Sequence, residues 1–181
     1  RTSVPLALEE RKKIALYCNI PFDNVIPAID LNNIYLVPLE YQKYRLHIRI
    51  LLHFGLEEKE PDLSYWEHIS TLISKSKKYT ANIAIIIKYD SNHDSYKSIV
   101  EALKISALKQ DTELNIKWID CDNINRDNVE THFQDIDAIL IPGGFGKRGI
   151  EQKIMSVRYA RENNIPFLGI CLGMQTALLE Y

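Results

Sequence analysis

Basic excess is missing from this sequence: 22 Lys and Arg stand against 24 Asp and Glu, a formal net charge of −2. That removes the usual signature of a nucleic-acid or anionic-membrane surface, and neither partner is expected. No apolar run reaches the ~20 residues a membrane-spanning helix needs, and no signal-peptide pattern opens the chain. Cysteine is sparse. Cys18, Cys121 and Cys171 are far apart, with no C-x-x-C or Cys/His ligand spacing among them. A disulfide framework and a zinc site are therefore not expected, and a reducing, cytoplasmic setting is. The one dense lysine cluster, Lys75, Lys77 and Lys78, lies between two periodic segments and reads as a solvated connector. The chain opens on Arg1 rather than Met, which suggests a piece of a longer protein.

What remains is an ordinary globular composition, 46% hydrophobic and 25% charged over 181 residues, with room for one or two domains. Two rhythms meet near residue 80. Before it, "LALEERKKIALYC" places apolar residues among charges behind Pro5, a residue suited to a first helical turn. Pro21, Pro27 and Pro38 break the next stretch into turns and short extended pieces. "LEYQKYRLHIRILLHFGL" reads as one helix stopped at Gly55, and Ser64 with Glu67 has capping-box spacing for another. After residue 80, strand and helix alternate. "NIAIIIKY" is a β-branched run suited to a strand buried on both faces. "DSYKSIVEALKISALKQ" has helical spacing with Asp94 as N-cap, and "LNIKWID", "AILIPGG" and "PFLGI" are strands separated by helical "NVETHFQDI" and "GIEQKIMSVRYARENN". This alternation predicts an α/β fold, a parallel sheet covered by helices on both faces. Ligands of such sheets gather beyond the carboxyl ends of the strands, where "PGGFG" and "GICLG" both fall.

"GICLG", Gly169 to Gly173, is the cysteine form of the G-x-S-x-G nucleophile elbow. Its nucleophile sits on a sharp strand-to-helix turn, with glycines where a Cβ would strike neighbouring backbone. The first N–H groups of the following helix have no helical acceptor and can hold an oxyanion. A helix terminus contributes only about 0.3–1 kcal/mol, so a thiol there does not complete a site. Transfer from an amide also needs a proton for the leaving amine, and hence a positioned acid such as histidine. His47, His53, His68, His93 and His132 are available, but none has a context that marks it as the partner. "PGGFGKRG", Pro142 to Gly149, lacks the Lys-Ser/Thr of a P-loop. Its place one strand–helix unit before the elbow suits it to be the other half of an oxyanion hole.

"GICLGMQ" resembles the nucleophile motif of the class I glutamine amidotransferases, and "LIPGGFGKRGIE" resembles, more specifically, the CTP synthase family. "RKKIALYCNIP", "IYLVP", "WID" and "YARENNIPFLGICLGMQ" are similar to that family in the same order. The resemblance implies the end of a P-loop-type amidoligase domain over residues 1–55, mainly helical here. It then implies an interdomain linker over 56–80 and the first half of a Rossmann-like glutaminase domain over 81–181. It also implies a ligase that makes CTP from UTP, ATP and glutamine-derived ammonia, uses Mg2+, is activated by GTP and forms a homotetramer. By position, Cys171 would be the nucleophile, with Gly143 and Leu172 at the oxyanion hole. Gly144, Leu172, Gly173, Met174 and Gln175 would contact glutamine. Lys88, Tyr89, Phe145 and Arg148 would face GTP, Lys13 the UTP or CTP triphosphate, and Arg1, Ile29, Asp30 and Leu31 the ATP. The resemblance assigns the Mg2+ ligands to sequence before Arg1 and the catalytic His and Glu to sequence after Tyr181, so that this stretch alone is expected to be inactive. Two positions depart from the family pattern: Ile87 stands where a glycine precedes the Lys-Tyr pair, and Gln152 where a glycine follows "GIE". Two other readings stay open, a glutaminase serving another acceptor and a non-catalytic module that kept the fold.

Overall fold

The computed structural model describes residues 2–88 and 93–181, so Arg1 and Tyr89 lie outside the described residues. The chain divides into two compact units, at Lys75 and Ser76.

The first unit is helical. Helix α1 spans Leu8–Cys18. Its entry is held by the Glu10 carboxylate, which accepts from the Ala7 N–H at 2.9 Å, rather than by Pro5, which lies outside the helix. The segment expected to be one helix is two: α2 (Val37–Lys43) and α3 (Leu46–His53). They are parted at Arg45, whose φ of 51° is left-handed and cannot continue a helix. Helix α4 (Ser64–Ser74) falls within residues 56–80 and packs on α2, with Trp66 stacked 6.5 Å from Tyr35. Ser64 is its first helical residue, not its cap, and the Asp62 carboxylate accepts from the Ser64 N–H at 3.0 Å instead.

The second unit is the expected parallel sheet. Its elements are β1 (Tyr79–Ile87), α5 (Lys97–Lys109), β2 (Thr112–Asp120), α6 (Val129–His132), β3 (Ala138–Ile141), α7 (Ile150–Glu162), β4 (Phe167–Gly169) and α8 (Leu172–Glu180). Asp94 lies inside a 3-10 turn ahead of α5, whose N-cap is Tyr96. All pairings are parallel in the order β2-β1-β3-β4. Period-two alternation along β1 sends Ala84 and Ile86 to one face and Ile85 and Ile87 to the other, and all four are fully buried. On the first face lie Phe133, Val157 and Ala160 of the α6–α7 side, and on the second Tyr96 and Leu140, with Ile99 and Leu103 of α5. Ile87, where the family pattern has glycine, is thus part of the core. Among the described residues no helix is long and apolar enough to cross a membrane.

Candidate active site

Strand β4 runs into Cys171, which holds φ 51° and ψ −104° immediately before α8. A β-carbon-bearing residue rarely adopts this conformation, which costs of order 1–3 kcal/mol. The surroundings show why it persists. A Cβ on Gly169 would stand 2.4 Å from the Gly173 carbonyl carbon, and one on Gly173 would stand 2.1 Å from the Ile141 carbonyl oxygen. The end of β3, the end of β4 and the first turn of α8 are thus in backbone contact. The Ile170 N–H donates to that same Ile141 carbonyl at 3.0 Å. The thiol-bearing residue is left exposed at the top of the sheet, while Leu172 and Gly173 behind it are buried.

The loop after β3 faces this elbow. The position of a Cβ on Gly143 lies 3.6 Å from Cys171 Cβ, an ordinary contact, and that of Gly144 lies 3.3 Å from a Leu172 methyl carbon. Gly143, Gly144, Cys171 and Leu172 therefore form one cluster. Leu172 is the first residue of α8, so the helix offers its N–H no acceptor. Met174 and Gln175 are exposed on the first turn of α8, and the Gln175 N–H donates to the Cys171 carbonyl at 3.0 Å.

Side chains hold the loop from below. Lys88, buried at the end of β1, donates from Nζ to the Phe145 carbonyl at 2.6 Å. Its backbone N–H donates to the Tyr96 hydroxyl at 3.3 Å, and its carbonyl accepts from the Arg148 guanidinium. Arg148 also pairs with Asp122 at 3.4 Å. Lys88, Phe145 and Arg148 are thus brought together, with the Phe145 ring fully presented to solvent. Cys121 Sγ fills the space beside Gly149, only 2.3 Å from where a Cβ would stand, and burial pushes its thiol pKa up. Lys153 of α7 is 1% exposed, with Nζ 3.9 Å from the Cβ position of Gly144, and burial pulls its pKa down.

Sequence reasoning missed Lys153 and Cys121. Their signal was positional. Lys153 shares the buried stripe of α7 with Ser156, Val157 and Ala160, where a core residue belongs. Gln152 is half-buried, and its carbonyl accepts from Ser156 Oγ at 2.9 Å. Among the described histidines, His132 contacts the Asn123 carbonyl at 3.1 Å and His47 contacts Glu60 at 3.1 Å.

In the first unit, Ile29, Asp30 and Leu31 line one cavity of 180 Å³ together with Ile34, Val37 and Tyr41. A parallel bridge from Thr2 to Ile29 fixes this edge, the Asp30 N–H donating to the Thr2 carbonyl at 3.0 Å. Lys13 is an exposed residue of α1.

Comparison with known sequences agrees with this layout. The family model for the CTP synthase N-terminus matches residues 1–56, and that for class-I glutamine amidotransferases matches residues 92–181. A CTP synthase of Carboxydothermus hydrogenoformans is 45% identical over all 181 residues. The chain belongs to the CTP synthase family. It spans about a third of that relative, 34% of its length. Among solved structures, the glutaminase domain of Trypanosoma brucei CTPS with bound acivicin matches with a TM-score of 0.52 and 33% identity. That match covers 55% of this chain and 39% of the other. The amidotransferase match contains Phe145, Arg148, Lys153 and the whole elbow, whereas Lys88 precedes it. The N-terminal match contains Lys13 and the Ile29–Leu31 edge, a part that a stand-alone glutaminase would lack.

Proposed function

We propose that the protein containing this chain is a glutamine-hydrolysing CTP synthase, a ligase, and that Cys171 is its glutaminase nucleophile. The observation that carries this reading is the strained, exposed Cys171 backbone, fixed by two glycines that admit no side chain and faced by Gly143. The Cys171 thiolate attacks the glutamine side-chain amide, and the carbonyl oxygen takes negative charge against the N–H groups of Gly143 and Leu172. Collapse of that intermediate expels ammonia, which leaves with a proton from an acid, and leaves a γ-glutamyl thioester. Water then releases glutamate and restores the thiol. Gly144 and the first turn of α8, from Leu172 to Gln175, flank the attacked amide. Ammonia passes to UTP activated at O4 by phosphoryl transfer from ATP, so that UTP, ATP and ammonia give CTP, ADP and phosphate.

Residues 1–55 then belong to the amidoligase domain, 56–80 to the connection and 81–181 to the glutaminase domain. The cavity edge at Ile29, Asp30 and Leu31, with Arg1, is assigned to ATP and Lys13 to the UTP or CTP triphosphate. Lys88, Tyr89, Phe145 and Arg148 are assigned to the activator GTP. Their support is the joined Lys88–Phe145–Arg148 network and its exposed ring. Mg2+ has no fitting ligand set among the described residues. The one cluster of candidate ligands, Asp120, Cys121 and Asp122, contains a buried thiol and an aspartate paired to Arg148, and a hard cation selects oxygen ligands. The family reading also carries a cytoplasmic homotetramer.

Replacing Cys171 by Ala in the full-length protein tests the proposal. Glutamine-dependent CTP synthesis is expected to vanish while synthesis from ammonia persists. Retention of the glutamine-dependent rate would contradict it.

A further inference from the structure

Three loop glycines each rest on a buried polar side chain: Gly146 on Lys88 Nζ at 3.6 Å, Gly149 on Cys121 Sγ and Gly144 on Lys153 Nζ. Two of these supports have an evident structural role. Lys88 bonds the Phe145 carbonyl, and Cys121 belongs to the core. Lys153 has no such account. Its side chain is the largest fully buried one, and among the described residues it makes no hydrogen bond or ion pair. Burying a charged side chain costs stability, and an apolar side chain of similar length would fill the same space more favourably. Packing does not explain a lysine there.

Its position does. The ammonium lies 3.9 Å from where a Cβ on Gly144 would stand, and the Cβ position of Gly143, the next residue back, lies 3.6 Å from Cys171 Cβ. A cation under a peptide attracts the carbonyl end of the peptide dipole and turns the N–H end away. We infer that Lys153 is a positioning residue of the glutaminase site, its buried ammonium holding the Gly143–Gly144 peptides with their N–H groups towards the oxyanion. The inference rests on the assignment of Cys171 as the glutaminase nucleophile. The charged and titratable groups around Lys153 are Cys121 and Asp122 just after β2, Lys88 just after β1, and Arg148 from the loop. The direction of its shift, lowered chiefly by burial, means that rising pH discharges Lys153 before an exposed lysine, and the orienting charge is then lost.

The test uses Lys153→Met and Lys153→Arg in the full-length protein, with ammonia-dependent synthesis as the control. Lys153→Met is expected to melt no lower than the parent and to keep the ammonia-dependent rate. Its glutamine kcat should fall about 10- to 100-fold, with KM within about threefold. Lys153→Arg, which keeps its charge at high pH, is expected to move the alkaline limb of the glutamine-dependent rate to higher pH. A Lys153→Met kcat within about twofold of the parent would overturn the inference. So would equal loss with both nitrogen sources together with a lower melting temperature, or an unmoved alkaline limb in Lys153→Arg. Survival of glutamine-dependent synthesis in Cys171→Ala would instead remove the assignment on which the inference stands.

Discussion

The two glycine-rich turns of the second unit, one at Gly143–Gly149 and one at Gly169–Gly173, are built on opposite principles. At the elbow, backbone meets backbone: the space beside Gly169 and Gly173 is taken by carbonyl groups at 2.4 and 2.1 Å. At the loop, the space beside Gly143, Gly144 and Gly146 begins at 3.3 to 3.6 Å and ends on side-chain atoms. The first turn is fixed by the sheet itself and can hold strain at Cys171. The second is held by Lys88, Lys153 and Cys121, so its shape follows the charge and packing of those side chains. A nucleophile benefits from the first arrangement. A loop with the oxyanion role proposed above benefits from the second.

The contrast breaks most visibly at Gly173→Ala. The added methyl would meet the Ile141 carbonyl, and β3 and α8 would have to part, at a cost of about 3 kcal/mol in unfolding free energy. Urea unfolding of the variant measures this, and glutaminase activity should vanish with it. Gly143→Ala is expected to behave differently. Its methyl has ordinary room against Cys171, so stability should stay within about 0.5 kcal/mol of the parent. Its glutamine kcat should nevertheless fall about tenfold, because the methyl stands where the oxyanion donor faces the nucleophile. Unfolding and steady-state assays on one preparation separate the two effects.

A smaller effect sharpens the account at the far end of the elbow helix. Glu180, with a side chain 2% exposed, receives Arg161 at 2.8 and 2.9 Å and Arg158 at 3.2 Å, tying α8 to α7. The Arg161 hydrogen bond, aided by Arg158, holds its carboxyl down to about 2. A glutamate in the unfolded chain titrates near 4.3, so the stabilisation is present above that pH and is lost as pH falls towards 2. Both guanidiniums are half-exposed, which limits the contribution to about 1 kcal/mol. Comparing Glu180→Gln with the parent across pH 2 to 6 in thermal unfolding should show the difference shrinking towards the acid end.

Local pattern carried the alternating sheet, because buried parallel strands and amphipathic helices leave marks within a single window. β1, β2 and the elbow were legible for that reason. Where a nearby residue competes for the same role, local reading fell short. Asp62 rather than Ser64 supports the start of α4, and the left-handed Arg45 splits a continuous helical pattern. The supports beneath the glycine loop were hidden for a different reason. Cys121 meets Gly149 and Lys88 meets Gly146 across long stretches of chain, and only the folded sheet brings them together. Lys153 was readable in principle, four residues beyond Gly149 on the buried stripe of α7, but its charge made it look like a surface residue.

The chemistry proposed for the second unit converges on the Cys171 sulfur. The most direct measurement incubates the full-length protein with glutamine, quenches it in acid within one turnover, and examines the peptide bearing Cys171 by mass spectrometry. That peptide is predicted to carry the added mass of a γ-glutamyl group, which should be released by hydroxylamine and absent from Cys171→Ala. A γ-glutamyl group on Cys18 or Cys121, or turnover of glutamine with Cys171 unmodified at every quench time, would contradict the account.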